Sequence, residues 1–494
     1  MLEEMRTPNI HLPRRTHHRL SGPDASFLAF ERADRPMHIG AVAWFDSAPW
    51  RDHAGALDGV ALAALLAGRA ARVPALRLHL RKAPVTGWPY WLEQQFDPAL
   101  NIRIADPVER DELVRDVAER ELARPLDRRR PLWRLVIVPV EGGDRFALIL
   151  CAHHALVDGI AGIDLLAQLF DGRHTDAPAP THLTPLMGQH APRLGRRELA
   201  RWALLPMATL RRSAAVLSDA QRRSTVRRRG FALVRTCLRL LTPGPRHAVP
   251  AGKPGMRQVA WFDIEERPLR YARKRLRGTP NDLVLAAVSE AIHRLHGGHA
   301  PGLGKLRAAV PVSTRKLSER FEPGNRIGLM LSSLKADERN PGARVGAIGR
   351  ATATQKRRGD YEGYEVLGEI TAWTGQWSQR LLHWIARTTR SYGILVTNVP
   401  GPSRPYHLGG ARLDAVYPLV PLFGGQSLSV AVIRYGAHYR VGVTTAWETA
   451  GLAEEFSRHL RSAFEQLARA VPAESPASVP APASGRPLAA DHAT

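Results

Sequence analysis

The stretch FALILCAHHALVDGIAGIDLL, residues 146–166, constrains this chain more than any other. Phe146 to Ala152 is a short apolar run bounded by charge, the pattern of a buried strand. From Gly159 onward Ile160, Ile163, Leu166, Ala167 and Phe170 recur at three- and four-residue spacing, which predicts a helix packing one face on a core. His153, His154 and Asp158 therefore fall on a strand-to-helix turn, where side chains face a cleft from rigid support. Whatever the chain folds into must seat a buried strand and an amphipathic helix on either side of three titratable groups.

A neutral imidazole accepts a proton near neutrality, since its unperturbed pKa is about 6.5. Successive side chains of an extended backbone alternate sides, so His153 and His154 cannot both face the cleft. One is structural and the other is free for chemistry. Asp158 can hold the turn by pairing with an arginine elsewhere, and Gly159 permits a tight start to the helix. The same residues read as a satisfied core pair if nothing binds there. A metal site fits poorly, because alternation separates the ring nitrogens. Cys151 is a small strand residue before it is a nucleophile. His17-His18 repeats the histidine pair without the strand, the aspartate or the helix, so a solvated pair is expected there.

Bulk properties narrow the classes. At 494 residues two lobes are the natural expectation. Two cysteines, Cys151 and Cys237, leave no disulfide framework and no CxxC metal site, which fits a reducing cytosol. The first twenty residues lack the apolar segment of a secretory signal, and no apolar run approaches the roughly 18 residues needed to span a bilayer. The net charge of +24 favours an acidic partner. Residues 191–240 hold 13 arginines, no lysine and two acids, Glu198 and Asp219, hence +11 of that total. A solvated face is the default for such a run. Nucleic acid is disfavoured, since only Trp202 and Phe231 are available for stacking. Helical patterning, with Val234, Cys237 or Leu238, and Leu241 on one face and Arg235 and Arg239 on another, favours a basic face against anionic lipid.

The organisation follows from periodicity and punctuation. Residues 1–19 are expected to be a flexible N-terminus, and 20–255 a first lobe that includes the basic crossover 172–255. Residues 256–471 form a second lobe, and the Pro-, Ala- and Ser-rich tail 472–494 is expected to be disordered. PLWRLVIVPV and RFALILCA read as adjacent strands joined at Gly142-Gly143. RQVAWFDI, LRAAVPVST, GLMLSSL and YGILVTNVP read as strands, and TPNDLVLAAVSEAIHRL as a helix capped by Thr279. SLSVAVIRYGAHYRVGVTTAW is a hairpin about Gly436-Ala437. The last predicted helix shows an apolar face of Leu452, Phe456, Leu460 and Phe464.

His153 to Gly159, HHALVDG, resembles the HHxxxDG motif of acyltransferases related to chloramphenicol acetyltransferase and to condensation domains. PLW at 131–133, NDLVLA at 281–286, PVSTR at 311–315 and TNVPGP at 397–402 resemble the bacterial wax ester synthase/acyl-CoA:diacylglycerol acyltransferase family, over about residues 20–470. That resemblance implies a two-lobed α/β fold of the chloramphenicol-acetyltransferase type, with mixed sheets and an active-site tunnel between the lobes. It implies His154 as general base, and His153, Asp158 and Gly159 as residues that shape the site. Asn281 and Asp282 are either oxyanion donors or helix-start caps. The implied co-substrate is long-chain acyl-CoA, with diacylglycerol or a long-chain alcohol as acceptor. No metal, cofactor or nucleic acid is expected. Location at the inner face of the cell membrane or on lipid droplets is implied as well. Another hydroxyl or amine acceptor within the same superfamily is the alternative, and a dead, basic membrane- or nucleic-acid-binding scaffold is the further one.

Overall fold

The computed structural model describes residues 17–83, 87–171, 220–245, 249, 252–253, 255, 257–297, 302–314, 325, 327–374, 376–389, 392–402, 404–423, 426–449 and 451–469. The expectations for residues 1–16, the crossover part 172–219 and the tail 472–494 lie outside them.

The first half supplies β1 (His17–Arg19), α1 (Gly22–Phe30), β2 (His38–Asp46), α2 (Gly59–Ala71), β3 (Leu78–Lys82), β4 (Pro89–Glu93), β5 (Ile102–Ile104), α3 (Val114–Ala123), β6 (Trp133–Val138), β7 (Arg145–His153), α4 (Gly159–Leu169) and α5 (Ala220–Leu241). The second half supplies β8 (Gln258–Glu265), α6 (Glu266–Arg275), α7 (Pro280–Leu295), β9 (Arg307–Ser313), β10 (Ile327–Ser333), α8 (Pro341–Arg357), α9 (Glu362–Thr374), α10 (Gln376–Thr389), β11 (Ile394–Val399), β12 (His407–Leu408), β13 (Ala411–Leu419), β14 (Leu428–Tyr435), β15 (His438–Thr445) and α11 (Leu452–Arg469).

Two six-stranded mixed sheets organise these elements. One runs β12-β13-β2-β7-β6-β5 and the other β10-β9-β11-β14-β15-β8. The expected β6–β7 hairpin forms, with Trp133 opposite Ala152, and the β14–β15 hairpin turns at Gly436 with Tyr435 opposite His438. Residues 407–419, far along the second half, join the first sheet, where β13 pairs with β2 and β12 with β13. The sheets meet at Gly442, where a Cβ would lie 1.9 Å from the Pro418 carbonyl oxygen. Only glycine lets β13 and β15 approach that closely.

Each sheet has its own core. Phe45, Phe146, Leu148, Leu62 and Trp133 fill one face of the first, and Val430, Val432, Val441, Phe456, Leu460 and Phe464 fill the second. Three of the four apolar positions predicted for α11 are thus fully buried, while Leu452 packs at the margin. Trp133, of the PLW stretch, is a packing residue whose indole N–H donates to the Leu76 carbonyl at 2.8 Å. Cys151 is buried, and burial pushes its thiol up to about 11, the behaviour of an inert strand residue.

Two expectations need correction. His17–Arg19 is not a flexible segment: its backbone pairs with Tyr90–Leu92, so the His17-His18 pair does lie on a strand. Helix α5 does have separate apolar and arginine faces, but it turns them the other way round. Arg235 and Arg239 face the protein, 2.6 and 3.0 Å from the two oxygens of Asp360, and Arg228 and Arg229 pair with Glu362 and Glu369. Val234, Leu238 and Leu241 are exposed instead. Carboxylates supplied from residues 360–369 hold the guanidiniums inward, where partly desolvated pairs gain more than they would in water.

Candidate active site

Strand β7 delivers the histidines as its sequence pattern requires. Its last residue, His153, lies opposite His38 at the start of β2, so both point to one face and their rings sit edge-on at 6.3 Å. His153 is buried; its Nδ1 accepts the Ala155 N–H at 3.0 Å, and its Nε2 lies 3.4 Å from Glu31 Oε1. An Nδ1 that accepts must carry its lone pair, which leaves the proton on Nε2, toward Glu31. Burial alone would raise the Glu31 carboxyl, but hydrogen bonds from His153 and Arg128 and the Arg128 charge outweigh it and hold the group at about 2. His38, fully buried beside them, is pushed down to about 3, chiefly by burial.

His154 begins the turn and faces elsewhere. Its N–H donates to the Met37 carbonyl at 2.8 Å. The imidazole stacks on Phe27 of α1, with ring centroids 4.0 Å apart and planes 6° from parallel, and Phe423 meets its edge at 6.1 Å. Burial depresses its pKa to about 4, against the opposing pull of its own backbone and of the Asp158 charge. The ring is therefore neutral at physiological pH, and its buried Nδ1 has no hydrogen-bond partner among the described residues. A neutral imidazole fixed in plane by an aromatic face is equipped to take a proton from a hydroxyl placed beside it.

Asp158 and Gly159 shape this turn. The Asp158 carboxylate caps α4, accepting the Ala161 N–H at 2.8 Å, where a negative charge also suits the helix dipole. Gly159 differs from expectation in its reason. It starts the helix without a left-handed backbone, and the need is for space: a Cβ would lie 3.0 Å from Val399 Cγ2. The end of β11, within TNVPGP, thus packs directly on the start of α4. Two residues on, Gly401 passes so near β14 that a Cβ would lie 1.6 Å from the Arg434 carbonyl oxygen.

Asn281 and Asp282 lie in the first turn of α7. Asp282 forms a capping box with Thr279 and accepts the Thr352 hydroxyl at 2.8 Å, tying α7 to α8. Among the described residues no hydrogen bond joins either residue to His154. The cap reading holds for Asp282, while the buried Asn281 side-chain nitrogen makes no cap and has no hydrogen-bond partner among the described residues.

Several residues that touch the site carry no motif signal. Asn325 donates from its side chain to Asp24 Oδ1 at 2.6 Å and to the His154 carbonyl at 2.7 Å, and from its backbone to Asp24 at 2.8 Å. Asp24 also closes a capping box with Ser21 at the start of α1. Burial raises the Asp24 carboxyl, while bonds from Ser21 and Asn325 oppose that. One carboxylate so joins α1, the histidine turn and the second half of the chain. The Ser21-x-x-Asp24 spacing is the one local signal for this cap, and nothing local points to the use of Asp24 by a residue 301 positions away.

Beyond Phe423 lies an apolar cavity of about 40 Å³, lined by Pro23 and Phe30 of α1, Leu240 of α5, Leu367 of α9 and Leu382 and His383 of α10. It holds no more than a few methylene-sized groups as it stands. Its wall of α1 and Phe423 is shared with the His154 ring.

Comparison with known proteins bears on this geometry. The family profile described as wax ester synthase/diacylglycerol acyltransferase catalytic domain matches residues 20–284, and that of the WS/DGAT C-terminal domain matches 323–468. A Mycobacterium tuberculosis (strain ATCC 25618 / H37Rv) protein named as a candidate diacylglycerol O-acyltransferase is 30% identical over 478 residues, covering 92% of this chain and 96% of its own. A second, named tgs1, is 29% identical over 463 residues, covering 90% and 94%. Among solved structures, the wax ester synthase/diacylglycerol acyltransferase from Marinobacter aquaeolei VT8 superposes with a TM-score of 0.62 at 21% identity, over 92% of this chain and all of that one. The first condensation domain of the calcium-dependent antibiotic synthetase superposes at 0.60 and 17%, over 92% and 97%. Both likenesses establish the two-lobed fold.

Proposed function

The chain belongs to the wax ester synthase/diacylglycerol acyltransferase family, and from that membership we propose that it transfers the acyl group of a long-chain acyl-CoA to diacylglycerol, giving triacylglycerol. Long-chain alcohols are the second acceptor class, giving wax esters. The observation that carries the mechanism is the His154 ring, neutral, held flat against Phe27 and unpaired at its buried nitrogen.

In this reading His154 takes the acceptor hydroxyl proton as the oxygen attacks the thioester carbonyl carbon. The carbon–oxygen bond forms, the carbon–sulfur bond breaks, and the leaving coenzyme A thiolate takes the proton back from the imidazolium. No acyl-enzyme forms, and the reaction balances without a metal or redox group. His153, locked to Glu31 and to the Ala155 N–H, holds the turn from behind, and Asp158 fixes the start of α4. Peripheral association with a lipid surface belongs to the same proposal, because the acceptor and product are nearly insoluble. Among the described residues no helix is long and apolar enough to cross a membrane.

The test is a paired assay of the wild type and His154→Ala with labelled acyl-CoA and either diacylglycerol or hexadecanol. Loss of the base lowers kcat by roughly 10²–10⁴. The acid limb of kcat/KM is expected near pH 4, where the imidazole protonates, and not near 6.5. A folded wild type that makes neither ester overturns the acceptor class; a His154→Ala variant with undiminished rate overturns the base.

A further inference from the structure

The inverted orientation of α5 leaves apolar side chains facing outward with nothing described against them. Phe231, Val234 and Leu238 repeat along its outer face, each between 55 and 60% exposed. Neighbouring α10 does the same with Trp377, Leu381 and Trp384, at 47 to 64%, spaced four and three residues apart on one face. Contiguous apolar surface of this kind on a water-facing protein marks a partner.

We propose that the outer faces of α5 and α10 together form the surface by which the protein docks on anionic lipid. Three observations select lipid. Four of the nine arginines on the two helices are paired with the carboxylates of residues 360–369, and the exposed Arg227, Arg380 and Arg387, with no carboxylate on either helix, leave a positive balance suited to phosphate-bearing headgroups. Two tryptophans seven residues apart on one helix face suit the boundary between headgroups and acyl chains. The inner sides of the same helices, at Leu240, Leu382 and His383, line the apolar cavity that ends at Phe423 beside His154. A lipid chain leaving the surface between α5 and α10 would meet apolar walls up to the base. The lipid-acceptor reading above is a premise of this inference.

The experiment is flotation of the full chain with vesicles of phosphatidylglycerol and phosphatidylcholine, compared with phosphatidylcholine alone. The wild type is set against a Leu238→Ser, Trp377→Ser, Leu381→Ser, Trp384→Ser variant, none of whose sites lines the cavity. Wild type is expected to float with the anionic vesicles, and the variant to lose at least about tenfold in partition, since each buried side chain of this size contributes roughly that factor. Equal flotation of the two, or no flotation of the wild type, overturns the proposal. So does a wild type that floats only once residues 172–219 are deleted, which would assign the face to that segment. A wild type twice the mass of the variant by light scattering, with no flotation, would assign it to a second copy. Turnover of acyl-CoA with a detergent-dispersed alcohol on the same preparations reports separately on the reaction.

Discussion

Replacing Asn325 with alanine tests whether the site is held from the second half of the chain. The side-chain amide makes two bonds, at 2.6 Å to the Asp24 carboxylate and 2.7 Å to the His154 carbonyl, while the backbone bond to Asp24 survives the substitution. A bond to a buried carboxylate contributes about 1.5–3 kcal/mol, and a buried carbonyl left without a donor costs about 1–3 kcal/mol. The two changes share one residue and are not additive, so a loss of about 2–4 kcal/mol in the urea-unfolding free energy is expected. Activity should suffer beyond that. His154 loses the tether on its own carbonyl, and a displacement near 1 Å of a reacting group costs on the order of 10²-fold. The fall should appear in kcat with little change in the KM for acyl-CoA, since Asn325 lies behind the base. Asp24→Ala should give a similar loss, and the double variant should be little worse than either single one. Asn325→Ala with kcat within twofold of wild type, or a fully additive double variant, would refute the clamp.

Gly401→Ala drives a Cβ to 1.6 Å from the Arg434 carbonyl of an interior strand, and a loss on the order of 4 kcal/mol or more is expected, seen as insolubility or a steeply lowered Tm. Gly68→Ala, in open space within α2, should instead hold or raise the Tm by the roughly 0.5–1 kcal/mol of helix propensity. Stability should also fall with acid. His154 and His38 titrate near 4 and 3 in the folded protein and near 6.5 unfolded, so the unfolded chain takes up protons first. Stability is therefore full above about pH 6.5 and declines as pH falls through 4 toward 3, by no more than about 2.7 kcal/mol per unit for two protons. Urea midpoints across pH 7.5 to 4 measure this; His38→Leu should halve the slope, and an unchanged slope would refute the assignment.

Local signals were legible in the sequence, and long-range partners were not. The strand, turn and helix around His153–Gly159, the Thr279 cap and the two hairpins each depend on residues within a few positions, and periodicity and turn chemistry suffice to read them. The pairing of His38 with His153, and the use of Glu31, Asp24 and Asn325 at the turn, depend on which distant strands become neighbours. Pattern alone also misjudged α5. Its amphipathicity was plain, but which face turns inward was decided by Asp360, Glu362 and Glu369, carboxylates more than a hundred residues away. Gly159 reads in the sequence as a conformational need and in the structure is a steric one, because the Val399 methyl that crowds it belongs to the other half.

The migration of residues 411–419 into the first sheet bears on how the chain is made. Strand β2 pairs with β7 on one side and with β13 on the other, so at synthesis it must wait for residue 419 before its second edge is covered. At 5–20 residues per second that wait after His153 lasts roughly 15–50 s. During it, nine residues of a strand with a buried Val42, Ala43, Trp44 and Phe45 present an unpaired edge. A nascent chain stalled or truncated before residue 411 would be a template for aggregation, and the histidine turn would remain unfinished until Asn325 and Val399 have been made.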